Sequence, residues 1–183
     1  MPAKGTSATT DALLYMMQTI HEALDGGEAG ARIFFADFSK GFDLIDHSIL
    51  IQELYKLQGG IPRGTKLGVV LFMVMTNSLL ANWHLRTKFV DDTSAHEIIP
   101  RNSISLLNFA VSDIHEFANE HNMKLNPKKC KEMLINFLHN PNFLLRPIQI
   151  GNNIIERVTT YKSLGVILSS DLKWNPHISR IES

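Results

Sequence analysis

The sequence predicts an α+β fold, an antiparallel sheet with helices packed on one face. Three observations predict it. Two long stretches, from Thr10 and from Asn102, carry apolar residues at helical spacing. Short apolar segments bounded by Gly, Pro and Asn lie between and after them, as strands do. The order (helix, strand, helix, helix, hairpin, helix, strands) contains no regular βαβ alternation of the kind that builds a parallel sheet.

Each element has its own warrant. Leu13, Leu14, Met17, Ile20 and Leu24 fall on one helical face, and Gly26-Gly27 stops that helix. The run Ala31-Arg-Ile-Phe-Phe-Ala-Asp37 reads as a buried strand closed by a carboxylate. Ser48 to Leu57 reads as a short helix, and Gln58 to Gly64 as a loop by its Gly and Pro content. An apolar helix is expected from Thr65 or Lys66 to about Trp83. Lys88 to Ala95 reads as two short strands around a turn that carries two acids. Asn102 to Asn122 is an amphipathic helix with an inner stripe of Ile104, Leu107, Val111, Ile114 and Phe117. Glu132 to Phe137 is a strand, Ile148 to Ile155 a hairpin around Gly151-Asn152, and Leu164 to Leu168 a last strand.

Composition narrows the function classes. Hydrophobic residues make up 44% and charged residues 20% of the 183 positions, the composition of a globular chain rather than a disordered one. Lys and Arg number 18 and so do Asp and Glu. Zero net charge argues against nucleic-acid binding driven by bulk charge and leaves room for a local basic groove. A single cysteine, Cys130, forbids an intrachain disulfide and fits a reducing compartment; it reads as a small buried residue. The first residues show no apolar signal segment, and the longest apolar run, Leu67 to Met75, is too short to span a membrane. These features predict an intracellular protein, not secreted and without a membrane partner.

Three acids carry the chemistry. Asp37 closes one strand, and Asp91 and Asp92 sit at the turn of a hairpin. If both elements share one sheet, the carboxylates converge at one edge. Hard oxygen donors at such a point suit Mg2+, which keeps waters and takes substrate phosphates as further ligands. Two such ions, ~4 Å apart, activate an attacking hydroxyl and stabilise a leaving phosphate oxygen. Taken singly, each piece has a plainer reading: an Asp-Asp turn is most often a solvated turn, and a Gly-Pro-Gly loop only a loop.

Taken in order, the pieces form a pattern. Phe35-Ala-Asp37-Phe-Ser-Lys-Gly-Phe42-Asp43-Leu-Ile-Asp46-His47 resembles motif A of reverse transcriptases in its non-LTR retrotransposon form. Gly60-Ile-Pro62-Arg-Gly64-Thr-Lys-Leu67-Gly-Val-Val-Leu71-Phe72 resembles motif B, and Phe89-Val-Asp91-Asp92 motif C. Asn122-Met-Lys-Leu-Asn126-Pro-Lys-Lys129-Cys-Lys resembles motif D. Tyr161-Lys-Ser-Leu164-Gly165-Val166 and Leu172-Lys-Trp174-Asn-Pro-His177 resemble the stretch leading out of the palm. The resemblance covers nearly the whole chain.

That resemblance implies a reverse transcriptase palm, an RNA-directed DNA polymerase acting in retrotransposition on an RNA template, a DNA primer and dNTPs. It implies that Asp37, Asp91 and Asp92 bind two Mg2+ ions, with Mn2+ as a substitute, and that the carbonyl of Phe38 is a further ligand. Gly41 and Phe42 would lie at the incoming nucleotide, Phe42 under the sugar so as to exclude a 2′-hydroxyl. Gly60, Pro62, Arg63 and Gly64 would pack on nucleotide and template, and Lys129 would approach the triphosphate as a proton donor. Read without the resemblance, Phe42 is a core residue, Lys129 a solvated turn residue, and Asp43 and Asp46 turn or cap residues.

The chain also departs from the family pattern. Arg63 stands where Gln is usual, Gly41 where Ala is usual and Val69 where Pro is usual. Leu57 runs straight into Gln58-Gly59-Gly60, where the family has a segment long enough for more than one helix. Residues 1–183 therefore read as a partial domain with an internal deletion at 57/58, with the N-terminal part of the fingers and the thumb outside it. The competing expectation is a degenerate, inactive element remnant, at most a weak nucleic-acid binder through the Lys124 to Lys131 patch.

Overall fold

The computed structural model describes residues 8–27, 29–39, 74, 76–89, 92–138 and 145–181. Its centre is a five-stranded sheet in the order β3-β4-β1-β6-β9. These strands are β1 (Ala29–Ala36), β3 (Arg86–Phe89), β4 (Asp92–Pro100), β6 (Lys131–Ile135) and β9 (Glu156–Arg157). The β3-β4, β4-β1 and β1-β6 pairs are antiparallel, while β9 joins β6 in parallel, so the expectation of a wholly antiparallel sheet is corrected at this edge.

Helix α1 (Ala8–Asp25) and helix α2 (Leu107–Glu120) lie on opposite faces. This corrects the prediction of helices on one face. Every residue of β1 is buried. Its alternate side chains point to opposite sides, with Phe34 and Ala36 packing in the α2 cluster and Ala31, Ile33 and Phe35 in the α1 cluster. A strand apolar on both sides demands cover on both.

Glu97 of β4 reaches the start of α2. Its carboxylate accepts from the Leu106 and Leu107 N–H groups at 2.6 and 3.2 Å and from the Ser105 hydroxyl at 2.7 Å. A buried negative charge is favourable at a helix N-terminus, where N–H groups lack intrahelical partners. The helix starts at Leu107 rather than Asn102, which leaves Ile104 exposed and Phe117 only part-buried. It ends with Asn122 at φ 54°. The Met123 N–H donates back to the Ala118 carbonyl at 2.7 Å and the Asn122 N–H to that of Asn119 at 3.2 Å. This left-handed cap turns the chain sharply into β5 (Lys124–Leu125).

The short strand β2 (Phe38–Ser39) follows β1 and pairs with β5, Phe38 opposite Leu125. The hairpin β7 (Gln149–Ile150) and β8 (Asn153–Ile154) turns at Gly151-Asn152 as expected. Beyond it, β10 (Thr160–Ser163) pairs with β11 (Val166–Ser169) as a hairpin, only half of which the sequence predicts. Helix α3 (Asn175–Ile181) is likewise unpredicted.

The expected helix up to Trp83 is not seen at its described end. Residues 76–82 form successive turns, in which the N–H groups of Asn77, Leu79, Ala81 and Trp83 donate to the carbonyls of Val74, Thr76, Ser78 and Leu80. Thr76, Asn77 and Ser78 favour such local bonding over helix, and Leu80 at φ 56° cannot continue one. The expected helix Ser48 to Leu57 and loop Gln58 to Gly64 lie outside the described residues.

The α2 side of the sheet holds a buried ion pair. The Arg32 Nε donates to Glu132 Oε1 at 2.8 Å, with Arg32 fully buried and Glu132 nearly so. The rest of the guanidinium donates to the Ser105 hydroxyl, the Asn108 amide oxygen and the Arg146 carbonyl. Arg157 of the parallel edge strand donates twice to the same Glu132 oxygen, at 2.8 and 3.0 Å. No helix among the described residues is long and apolar enough to cross a membrane.

Candidate functional site

Two of the predicted acids lie just past a paired position at one end of the sheet. Ala36 pairs with Thr93, so Asp37 and Asp92 are the next residues outward on neighbouring strands. Strand alternation puts Asp92 on the side of Ser94, whose hydroxyl approaches the Met16 sulfur of α1. Electrostatics agree. The Tyr161 phenol is pushed up to about 12, first by burial and then by the negative charges of Asp92 and Asp37. Both carboxylates therefore act on one hydroxyl. Tyr161, on β10, stacks on Phe35 with ring centroids 3.9 Å apart, and it lines a small pocket with Asp92, Thr93, Ser94 and Thr87.

Asp37 is held from the other side by the loop after β5. The turn Asn126-Pro127-Lys128-Lys129 closes with the Lys129 N–H on the Asn126 carbonyl at 3.0 Å; Pro in second place presets its backbone. The Asn126 N–H donates to the Asp37 carbonyl at 2.8 Å. The Asp37 N–H donates to Cys130 Sγ at 3.3 Å, and the thiol lies 3.7 Å from the Asp37 carbonyl, in donating geometry. Burial first of all pushes that thiol up to about 11, so it stays protonated near neutral pH. Lys129 Nζ lies 3.9 Å from Asp37 Oδ1, both side chains being solvent-accessible at 68% and 34%. The ion pair is thus long and screened, of small energy.

Phe38 is buried in β2 beside Leu125. Asp91, Gly41, Phe42, Gly60, Pro62, Arg63 and Gly64 lie outside the described residues, as do Asp43 and Asp46. Among the described residues no three His, Cys, Asp or Glu side chains gather into a metal-binding group. Asp37 and Asp92 supply hard oxygen donors of the kind that Mg2+ takes, at one exposed sheet end, so the residues present fit a divalent ion there.

Sequence reasoning missed two contributors. Tyr161 was legible only as part of a stretch leading out of the domain. Cys130 was legible as a buried residue, which it is, but nothing in a lone thiol says which backbone it will meet.

The family model for reverse transcriptase (RNA-dependent DNA polymerase) matches residues 5–168. The chain belongs to that family. The family generally uses divalent metals, and its members take an RNA template and nucleotide substrates. A search of curated proteins returns no match.

Proposed function

We propose that this chain is the palm of a non-LTR retrotransposon reverse transcriptase, which extends a DNA primer on an RNA template by nucleotidyl transfer. The observation that carries the reading is the adjacency of Asp37 and Asp92 at one strand end, inside a chain of this family.

On this reading Asp37, Asp91 and Asp92 hold two Mg2+ ions, with the Phe38 carbonyl as a further ligand. When bound, the ions supply activation of the primer 3′-hydroxyl and charge stabilisation at the leaving pyrophosphate. The protein's part is placement. The β1-β4 pairing ends at Ala36 opposite Thr93, one residue short of Asp37 and Asp92, and the 126–130 loop holds the Asp37 backbone. Lys129, already beside Asp37, stands close enough to reach a triphosphate bound there and give it a proton. Phe42 closes the sugar pocket against a 2′-hydroxyl, and Gly41, Gly60, Pro62, Arg63 and Gly64 lie along nucleotide and template.

A second reading, a degenerate remnant without turnover, is favoured by the junction Leu57-Gln58. The family has a segment between its motif A and motif B that this chain lacks at Leu57-Gln58, and at such a site a displacement of ~1 Å can cost about a hundredfold in rate.

Primer extension on a primed RNA template, at low salt with Mg2+, tests both readings. The chain is compared with Asp91→Asn and with a form carrying a relative's segment between residues 57 and 58. Extension by the unmodified chain, abolished by Asp91→Asn, supports the polymerase reading, and extension by the restored form alone supports the remnant reading while keeping the catalytic assignments. No extension by either form supports the remnant.

A further inference from the structure

We propose that the loop Asn126–Cys130 is a cradle that sets the position of Asp37, with Cys130 as its side-chain contact and a positioning residue for the acid pair. This rests on the polymerase reading for its consequence, though not for its geometry. Both polar groups of the Asp37 main chain are taken up by this one loop. The N–H goes to Cys130 Sγ at 3.3 Å, and the carbonyl receives the Asn126 N–H at 2.8 Å with the Cys130 thiol at 3.7 Å. The loop is itself tied, since the Asn126 carbonyl accepts from both the Lys129 and the Cys130 N–H groups at 3.0 and 2.9 Å. On its far side Phe38 pairs with Leu125. Asp37 sits where β1 has ended and β2 has not begun, so the sheet ladder does not fix its peptide. The loop does so instead.

Three features make Cys130 a placing group rather than mere filling. It is fully buried, so no water competes for the Asp37 N–H at its sulfur. It touches the main chain of the acid and not its carboxylate. Lys129, the neighbouring residue, is the one whose ammonium lies 3.9 Å from that carboxylate, so a shift of the loop moves the acid and its counter-charge together. Groups that orient metal ligands from behind commonly change metal affinity ~10–100-fold when removed.

The test uses the whole chain and two readouts. Cys130→Val keeps an apolar group of similar size and loses both contacts; Cys130→Ser keeps a donor and an acceptor. Ile114→Val, in the same core cluster, serves as a stability control. Hydrogen exchange of the Asp37 amide should accelerate about tenfold or more in the Val variant, return toward wild type in the Ser variant and stay unchanged in the control. Mn2+ affinity, read by its free-ion EPR signal, should fall about tenfold in the Val variant and recover with Ser. An Asp37 amide that exchanges in the Val variant as in wild type would overturn the cradle. Weakened exchange protection with unaltered Mn2+ affinity would overturn its role at the acid pair. A wild-type chain that binds no Mn2+ would count against the polymerase reading, while the exchange readout still decides the cradle.

Discussion

The ring of Tyr161 stacks on that of Phe35, 3.9 Å between centroids with the planes 19° apart. One contact thereby joins the β10-β11 hairpin to the strand that delivers Asp37. Stacked aromatic pairs contribute about 0.5–1.5 kcal/mol beyond their buried area. A double-mutant cycle of Phe35→Leu and Tyr161→Leu, followed by urea denaturation, should therefore give a coupling energy of about 1 kcal/mol. Tyr161→Phe keeps the ring and should leave the midpoint nearly unchanged. Additive single-mutant losses would show that the hairpin docks without help from the stack.

Arg32 and Glu132 lie 100 positions apart in sequence and meet at 2.8 Å in the interior. Removing one partner of such a pair strands a buried charge, at a cost of about 3–5 kcal/mol. Glu132→Ala should reach that range, because it strands Arg32 and releases Arg157 from β6 as well. The double change Arg32→Met with Glu132→Leu should cost much less than the sum, since apolar replacement of a whole pair is often near neutral. Urea midpoints of Glu132→Ala, of Arg32→Met and Glu132→Leu singly and of their double mutant decide it, and an additive double mutant would refute the pairing as the source of the loss.

How far these features were legible follows from their range. The strand that closes on Asp37 showed itself because an apolar run ended in a carboxylate. The Gly151-Asn152 turn showed itself through local backbone chemistry. The two-sided burial of β1 also had a signal, the unbroken run Ile33-Phe34-Phe35-Ala36, which a one-faced sheet would not need. Helix α3 had a weaker one in Pro176, harmless in a first helical turn. The Arg32–Glu132 pair and the Cys130–Asp37 contact had none, because each depends on a register between distant strands. At the candidate site, then, Asp37 and Asp92 stood out in the sequence, and the groups around Asp37 did not.

His96 offers a pH test. It is fully buried, and neither ring nitrogen has a hydrogen-bond partner among the described residues. Burial lowers its pKa from 6.5 to about 4. The folded state therefore favours neutral imidazole. Its contribution is fully present above pH 6.5 and declines as pH falls toward 4, where the unfolded chain binds the extra proton. The loss can reach about 3 kcal/mol at one pKa unit per 1.36 kcal/mol. Denaturation at pH 7.5 and pH 5 should show less stability at the lower value, and His96→Leu should remove much of that difference. A slope unchanged by the substitution would assign the acid sensitivity to other groups.

The acid pair gives the last prediction, and its sign separates a metal site from a structural one. Asp37 and Asp92 occupy the same end of neighbouring strands and both raise the Tyr161 phenol. Like charges held together disfavour folding, and a divalent cation relieves the repulsion. Asp92→Asn should therefore raise the melting temperature in metal-free buffer, where loss of a merely structural carboxylate would lower it. Adding Mg2+ or Mn2+ should stabilise the unmodified chain by RT ln(1 + [L]/Kd), about 1.4 kcal/mol at ten times Kd. For a chain of this length that is roughly 3–5 °C. The same addition should do little for Asp92→Asn. Asp37→Asn should also lose the metal response, but with a smaller gain in metal-free buffer, because it gives up its contact with Lys129 at 3.9 Å. Melting curves of the three proteins with and without metal read both signs. A metal response that survives in both Asn variants would place the bound ion away from this end of the sheet.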